Sequence, residues 1–202
     1  MSAAMRKPRT FTPEEYLMIE READYKSEYF NGEIVAMAGA SMPHIFINAN
    51  LHRAVGNRIA GSGCREAGND MKIRTPTKGM FSYPDLTVIC GEPQFHDRRR
   101  DVVINPVAIF EILSPSTEKV DRSIKFEMYQ ELENLREYVL IAQDKPHIEW
   151  YSRPDSGDVW TFSIARGLAA SITLPTLGVT IPLSEIYAGI TFPPALSLTD
   201  EE

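Results

Sequence analysis

The sequence predicts an α/β chain of the α+β kind, a mixed sheet with helices packed on it, and three observations carry that reading. "VAIFEIL" at 107–113, "DRSIKFEMYQELENL" at 121–135 and "YVLIA" at 138–142 follow one another as strand, helix and strand. That order places both strands in one parallel sheet with a right-handed crossover. "FSYPDLTVIC" at 81–90 is an apolar strand pattern just upstream, and antiparallel pairing with 107–113 would make the sheet mixed. Asn31-Gly32, between two short strand-like runs, marks a tight hairpin because both residues tolerate positive φ.

Each element has a local cause. "FTPEEYLMIE" begins a helix of about ten residues, with Thr12 as N-cap, Pro13 at the first helical position and Glu15 placed to close a capping box. The hairpin follows, and Glu33 begins its second strand. From Met42 to Ile59 apolar residues recur near helical spacing until Gly61 and Gly63 stop the run. "NDMKIRTPTKG" and "FSYPDLTVIC" are expected as successive strands joined by a Pro/Gly turn. Gly91 to Asp101 is a polar connection, and "SPST" separates the 107–113 strand from the helix after it. "HIEWYSR" and "VWTFSIA", split by "PDSGD", predict a two-stranded antiparallel ribbon. The tail, ending "LTDEE", has too little periodicity to join the core.

At 202 residues and 43% hydrophobic, the chain suits one domain, with a core over about 11–190 and short flexible ends. No run approaches the ~18 apolar residues of a membrane span, and "MSAAMRKPRTF" lacks a signal's apolar segment, so a cytoplasmic protein without membrane association is expected. Cys64 and Cys90 lack C-x-x-C spacing and are too few for a disulfide framework, which predicts buried free thiols. The net charge of -7 argues against a general nucleic-acid coating protein. Residues 65–125 nevertheless hold ten Lys/Arg against nine Asp/Glu, with "HDRRRD" at 96–101 among them. Arg98, Arg99 and Arg100 are therefore either a solvated loop or phosphate contacts. No G-x-x-x-x-G-K-[ST], H-E-x-x-H or G-x-S-x-G is present, and "GSGCREAG" lacks the third glycine of a dinucleotide loop.

Glu111 stands inside an apolar strand, where an ionised carboxylate needs a cation or several donors. Asp85 stands at the entrance of the neighbouring strand, and antiparallel pairing would bring the two acids to one end of the sheet. Two anions there repel unless a divalent cation neutralises both. With no Cys or paired His nearby, an oxygen-preferring Mg²⁺ or Mn²⁺ suits Asp85 and Glu111.

Pro84-Asp85 and Glu111-Ile112-Leu113 resemble the two half-motifs of the PD-(D/E)XK nuclease superfamily, except that Leu113 stands where a lysine is usual. Within it, "NGEIVAMAGAS", His44, "PDLTVIC", "FEILSPST" and "DRSIKFEMY" are similar to the Uma family of restriction endonucleases over roughly residues 11–165. The resemblance implies a restriction-endonuclease-like core with flanking helices and metal-dependent cleavage of DNA, usually by a homodimer. It implies that Lys125, from the helix after the glutamate, replaces the missing lysine. Asp121, Lys125 and Tyr129 recur every four residues and share a helix face, and the alternative for the first two is a surface ion pair. Glu33 could supply a third carboxylate at the metal, or be solvated. His44 could hold a phosphate or water, or serve a local hydrogen bond. Tyr83 and Asp70 are expected to be structural. The competing readings are a nuclease-like protein that binds nucleic acid or a protein partner without cleavage, and an accessory protein using the acids for a structural cation.

Overall fold

The computed structural model describes residues 9–77 and 79–193. The expected flexible ends, the final "LTDEE" and the Lys78 position of the expected turn lie outside the described residues.

Helix α1 (Pro13–Glu20) starts as the sequence dictates: the Glu15 amide donates to Thr12 Oγ1 at 3.1 Å and the Thr12 amide to Glu15 Oε2 at 2.8 Å. Strands β1 (Ser27–Phe30) and β2 (Glu33–Ala36) form the hairpin, with Asn31 at φ 46° and Gly32 at φ 103°. Helix α2 spans Met42–Ile59, the predicted limits.

The described strands form three sheets. Strands β3 (Cys64–Gly68), β6 (Leu86–Cys90), β8 (Ala108–Leu113), β9 (Glu137–Ala142), β10 (His147–Ser152) and β11 (Thr161–Arg166) make a six-stranded sheet in the order β11-β10-β9-β8-β6-β3. Strands β4 (Lys72–Arg74), β5 (Phe81–Ser82) and β7 (Val102–Val103) join the hairpin in a sheet ordered β2-β1-β5-β4-β7. Strands β12 (Ser171–Leu174) and β13 (Val179–Pro182) pair separately, followed by α5 (Leu183–Ile186).

β6 pairs antiparallel and β9 parallel with β8, so the central sheet is mixed as predicted. β8 and β9 are buried throughout, which explains their near-continuous apolar sequences. Phe110, Ile112, Leu86 and Val88 pack one face against Leu51 and Val55 of α2. Ile109, Leu113, Tyr138 and Leu140 pack the other against Met128, Tyr129 and Leu132. Each such side chain contributes roughly 1.5–3 kcal/mol by leaving water.

Four differences from the sequence reading have physical causes. "FSYPDLTVIC" is not one strand: it changes sheets at Tyr83-Pro84-Asp85, where proline removes a ladder donor. The Cys pair is not free, because β3 pairs with β6 in a register that sets Cys64 opposite Cys90, and the two form a disulfide. β10 and β11 are not an isolated ribbon, since β10 also pairs with β9 and extends the central sheet. The 121–135 helix is shorter and not uniformly α: α3 (Glu118–Val120) passes into a π-helical turn, Asp121–Lys125, and then α4 (Phe126–Tyr129). Tyr138 on β9 donates its hydroxyl to the Asp121 carbonyl at 2.9 Å and pins this widened turn to the sheet.

Candidate active site

The β6–β8 register that pairs Leu86 with Phe110 carries Asp85, one residue earlier, alongside Glu111. The Ile112 amide donates to Asp85 Oδ2 at 2.7 Å, so the sheet's own backbone holds this carboxylate next to Glu111. His44, in the first turn of α2, places Nε2 2.8 Å from Asp85 Oδ1. Both Asp85 oxygens are thereby fixed, one by the sheet and one by the helix.

Glu111 is 4% exposed. Lys125 Nζ lies 3.2 Å from its Oε1, and the Tyr129 hydroxyl donates to the same oxygen at 3.1 Å. Tyr129 also meets Ser82 Oγ at 2.8 Å, linking α4 to the five-stranded sheet. The Lys125 ammonium stands 3.1 Å from Glu28 of β1 and 3.1 Å from Asp121. Glu28 in turn accepts from the Tyr83 amide at 3.1 Å. The π turn buries both Asp121 and Lys125 toward Glu111.

Acids outnumber bases here: Glu28, Glu111 and Asp121 surround one ammonium, and Asp85 stands beside Glu111. Burial, reinforced by Asp121, Asp85 and Glu28 and opposed by Lys125, pushes the Glu111 carboxyl well above its usual range. Burial alone would lower the Lys125 pKa, but Glu111, Glu28 and Asp121 together outweigh it and hold the ammonium charged well beyond the ordinary lysine range. Burial and Glu111 likewise push the Tyr129 phenol far up, so it remains a donor.

These groups form the floor of a cleft of about 640 Å³. Its lining includes Asp85, Glu111, Lys125 and His44 of the sequence candidates, but not Glu33, Arg98, Arg99 or Arg100. Glu33 is exposed on the outer strand β2, and Glu28, one strand further in, is the carboxylate that reaches Lys125. Arg98, Arg99 and Arg100 are exposed in the loop before β7, where Arg100 lies over the Phe95 ring at 5.1 Å. Leu113 is buried in the core, and Asp121–Lys125 is a buried pair rather than a surface one. Tyr83 donates to Glu20 at 2.7 Å, and Asp70 pairs with Lys26.

Among the described residues, no three His, Cys, Asp or Glu side chains are arranged to hold a metal ion. The donor set still fits Mg²⁺ or Mn²⁺, since such ions keep several waters and take one or two carboxylates plus substrate phosphate oxygens. Four carboxylates, Glu28, Asp85, Glu111 and Asp121, line the cleft against the one ammonium at its floor, an excess of acids that a cation would offset. Among the described residues, no helix is long and apolar enough to cross a membrane.

Residues 13–184 match the Uma2 family, whose description is "Putative restriction endonuclease". The Synechocystis "Uncharacterized protein slr1290" is 34% identical over 182 residues, covering 90% of this chain and 93% of its own. A second Synechocystis protein, "Uncharacterized protein sll1609", is 37% identical over 142 residues, 70% of this chain and 80% of its own. A crystal structure from Anabaena variabilis, described as a "putative nuclease belonging to DUF820", superposes with a TM-score of 0.71 at 15% identity, covering 90% of this chain and 99% of that one. The shared fold is restriction-endonuclease-like.

Proposed function

We propose, on the premise that the chain belongs to the Uma2 family, that it is a nuclease hydrolysing phosphodiester bonds in DNA with Mg²⁺ or Mn²⁺ at Asp85 and Glu111. The observation that carries the reading is the convergence of these two carboxylates across the β6–β8 register, with Lys125 3.2 Å from Glu111. When bound, the ion would polarise the scissile phosphate and lower the pKa of a water. Asp85 is oriented for this by Ile112 and His44. Tyr129 steadies the Glu111 carboxylate. Lys125, charged and donor-only, would offset negative charge growing on the phosphate oxygens or orient the attacking water. Lys125 reaches the site from the π turn after β8, while Leu113 on that strand packs in the core. Glu28 and Asp121 hold the ammonium in place. Arg98, Arg99 and Arg100 would contribute salt-sensitive phosphate contacts outside the cleft. A homodimer in the cytoplasm belongs to the same proposal.

The test is cleavage of single-stranded circular DNA and supercoiled plasmid in Mg²⁺ or Mn²⁺, with Asp85→Ala and Glu111→Ala alongside. Activity in the parent lost by at least a hundred-fold in both variants is expected. Cation binding with no cleavage would instead indicate a binding protein on a nuclease fold.

A further inference from the structure

The cleft has a wall that the hydrolytic groups do not use. From Val35 to Pro43 every residue is exposed and none carries a charge, although the segment borders the acidic floor. Val35, Met37 and the small residues Ala36, Ala38, Gly39 and Ala40 line the cleft directly. Val35 is 48% and Met37 38% exposed, high for apolar side chains beside a reactive centre. Nothing meets a Cβ built on Gly39, so the wall is open to a ligand at that point. The groups at the floor are deeply recessed: Glu111 is 4% exposed and Lys125 5%.

We infer that this cleft takes one unpaired nucleic-acid strand, seating a base face against the Val35–Ala40 wall while the adjoining phosphate descends to Asp85 and Glu111. The inference rests on the floor being a phosphodiester site. Duplex binding draws most of its affinity from Lys/Arg neutralising phosphates, but this cleft is lined by four Asp/Glu against two Lys. Of those lysines, Lys26 already pairs with Asp70 and donates to the Asn69 carbonyl, and Lys125 is enclosed by carboxylates. A duplex phosphate, carried on a wide stiff rod, would have to reach groups below the rim. A single strand can enter with its bases splayed, and their faces would take the exposed apolar surface of Val35 and Met37 out of water. Ser114, Ser116 and Thr117 also line the cleft and offer hydroxyls to base edges or phosphate oxygens.

The experiment measures fluorescence polarisation of a labelled 12-nucleotide DNA strand, alone and annealed to its complement, in Ca²⁺. It compares the intact protein with Val35→Ser/Met37→Ser, a neutral change at exposed positions. The unpaired strand should bind at least ten-fold tighter than the duplex, and the double variant should lose at least three-fold of strand affinity with duplex binding unchanged. Equal or tighter duplex binding overturns the inference, as does an unaltered variant. So does a variant that alters only the protein's mass by light scattering, which would mean that a second copy covers the wall. Cleavage of both DNA forms alike in Mn²⁺ would leave the hydrolase reading standing and remove this one. Selective strand binding without any cleavage would do the reverse.

Discussion

Lys125 is the residue on which the electrostatics of the site turn, because it is the ammonium that three carboxylates, two of them buried, share. Removing one partner of a buried ion pair is costly, so Lys125→Met should destabilise the protein by about 3–5 kcal/mol in urea unfolding at pH 7. The loss should depend on pH in a definite direction. Burial and neighbouring acids already raise the folded-state pKa of Glu111, so the folded form holds its proton at pH values where the unfolded form has released it. Stability tied to that proton is present at low pH and disappears as pH rises through the folded pKa. Lys125 opposes that rise, so its removal raises the folded pKa further: the variant's deficit should shrink on acidification and grow as pH rises, and a pH-independent difference would contradict the account. At this scale Asp85, Glu111 and Lys125 were legible from strand alternation, helix spacing and resemblance. Glu28 was not. The Asn31-Gly32 turn draws attention to Glu33, but which flanking glutamate faces the cleft depends on β1 lying inside the sheet and β2 at its edge. That is a tertiary fact without a local signal.

The elements that were legible are those with strong local causes: the capped helix α1, the Asn-Gly hairpin, α2, and the β8–helix–β9 crossover. Those that were missed, β3, β7 and the β12–β13 pair, are short or alternate weakly, and partners distant in sequence supply their stability. β3 carries the largest consequence. Its pairing with β6 puts Cys64 opposite Cys90, and the disulfide closes a loop between positions 26 apart. Constraining the unfolded chain over such a loop is worth about 3 kcal/mol, so reduction should lower the urea midpoint accordingly. Identical midpoints with and without a thiol reductant would exclude that contribution. The π turn was equally hidden, since "DRSIK" has ordinary helical residues and the turn depends on Tyr138 and the buried charges around it.

Over the whole molecule, long-range polar ties join elements distant in sequence. Arg21, at the end of α1, donates to Asp97 at 2.7 Å and to Asp101 at 2.6 Å, and Lys72 of β4 stands 3.4 Å from Asp101. The Arg21 hydrogen bond, assisted by Lys72, lowers the Asp101 pKa to about 2. A depressed folded-state pKa gives stability that is present above the unfolded value and lost as pH falls through the folded one. Thermal melting should thus weaken between about pH 4 and pH 2, and Asp101→Asn should flatten that part of the profile. An unchanged profile in the variant would show that the tie contributes nothing. At this scale the proposed site is a cation shared by two strands of the central sheet. Its most direct measurement is Mn²⁺ binding followed by electron paramagnetic resonance in the parent, Asp85→Asn and Glu111→Gln. The parent should remove Mn²⁺ from the free signal at stoichiometric amounts and each variant should bind at least ten-fold more weakly, whereas equal binding by all three would refute it.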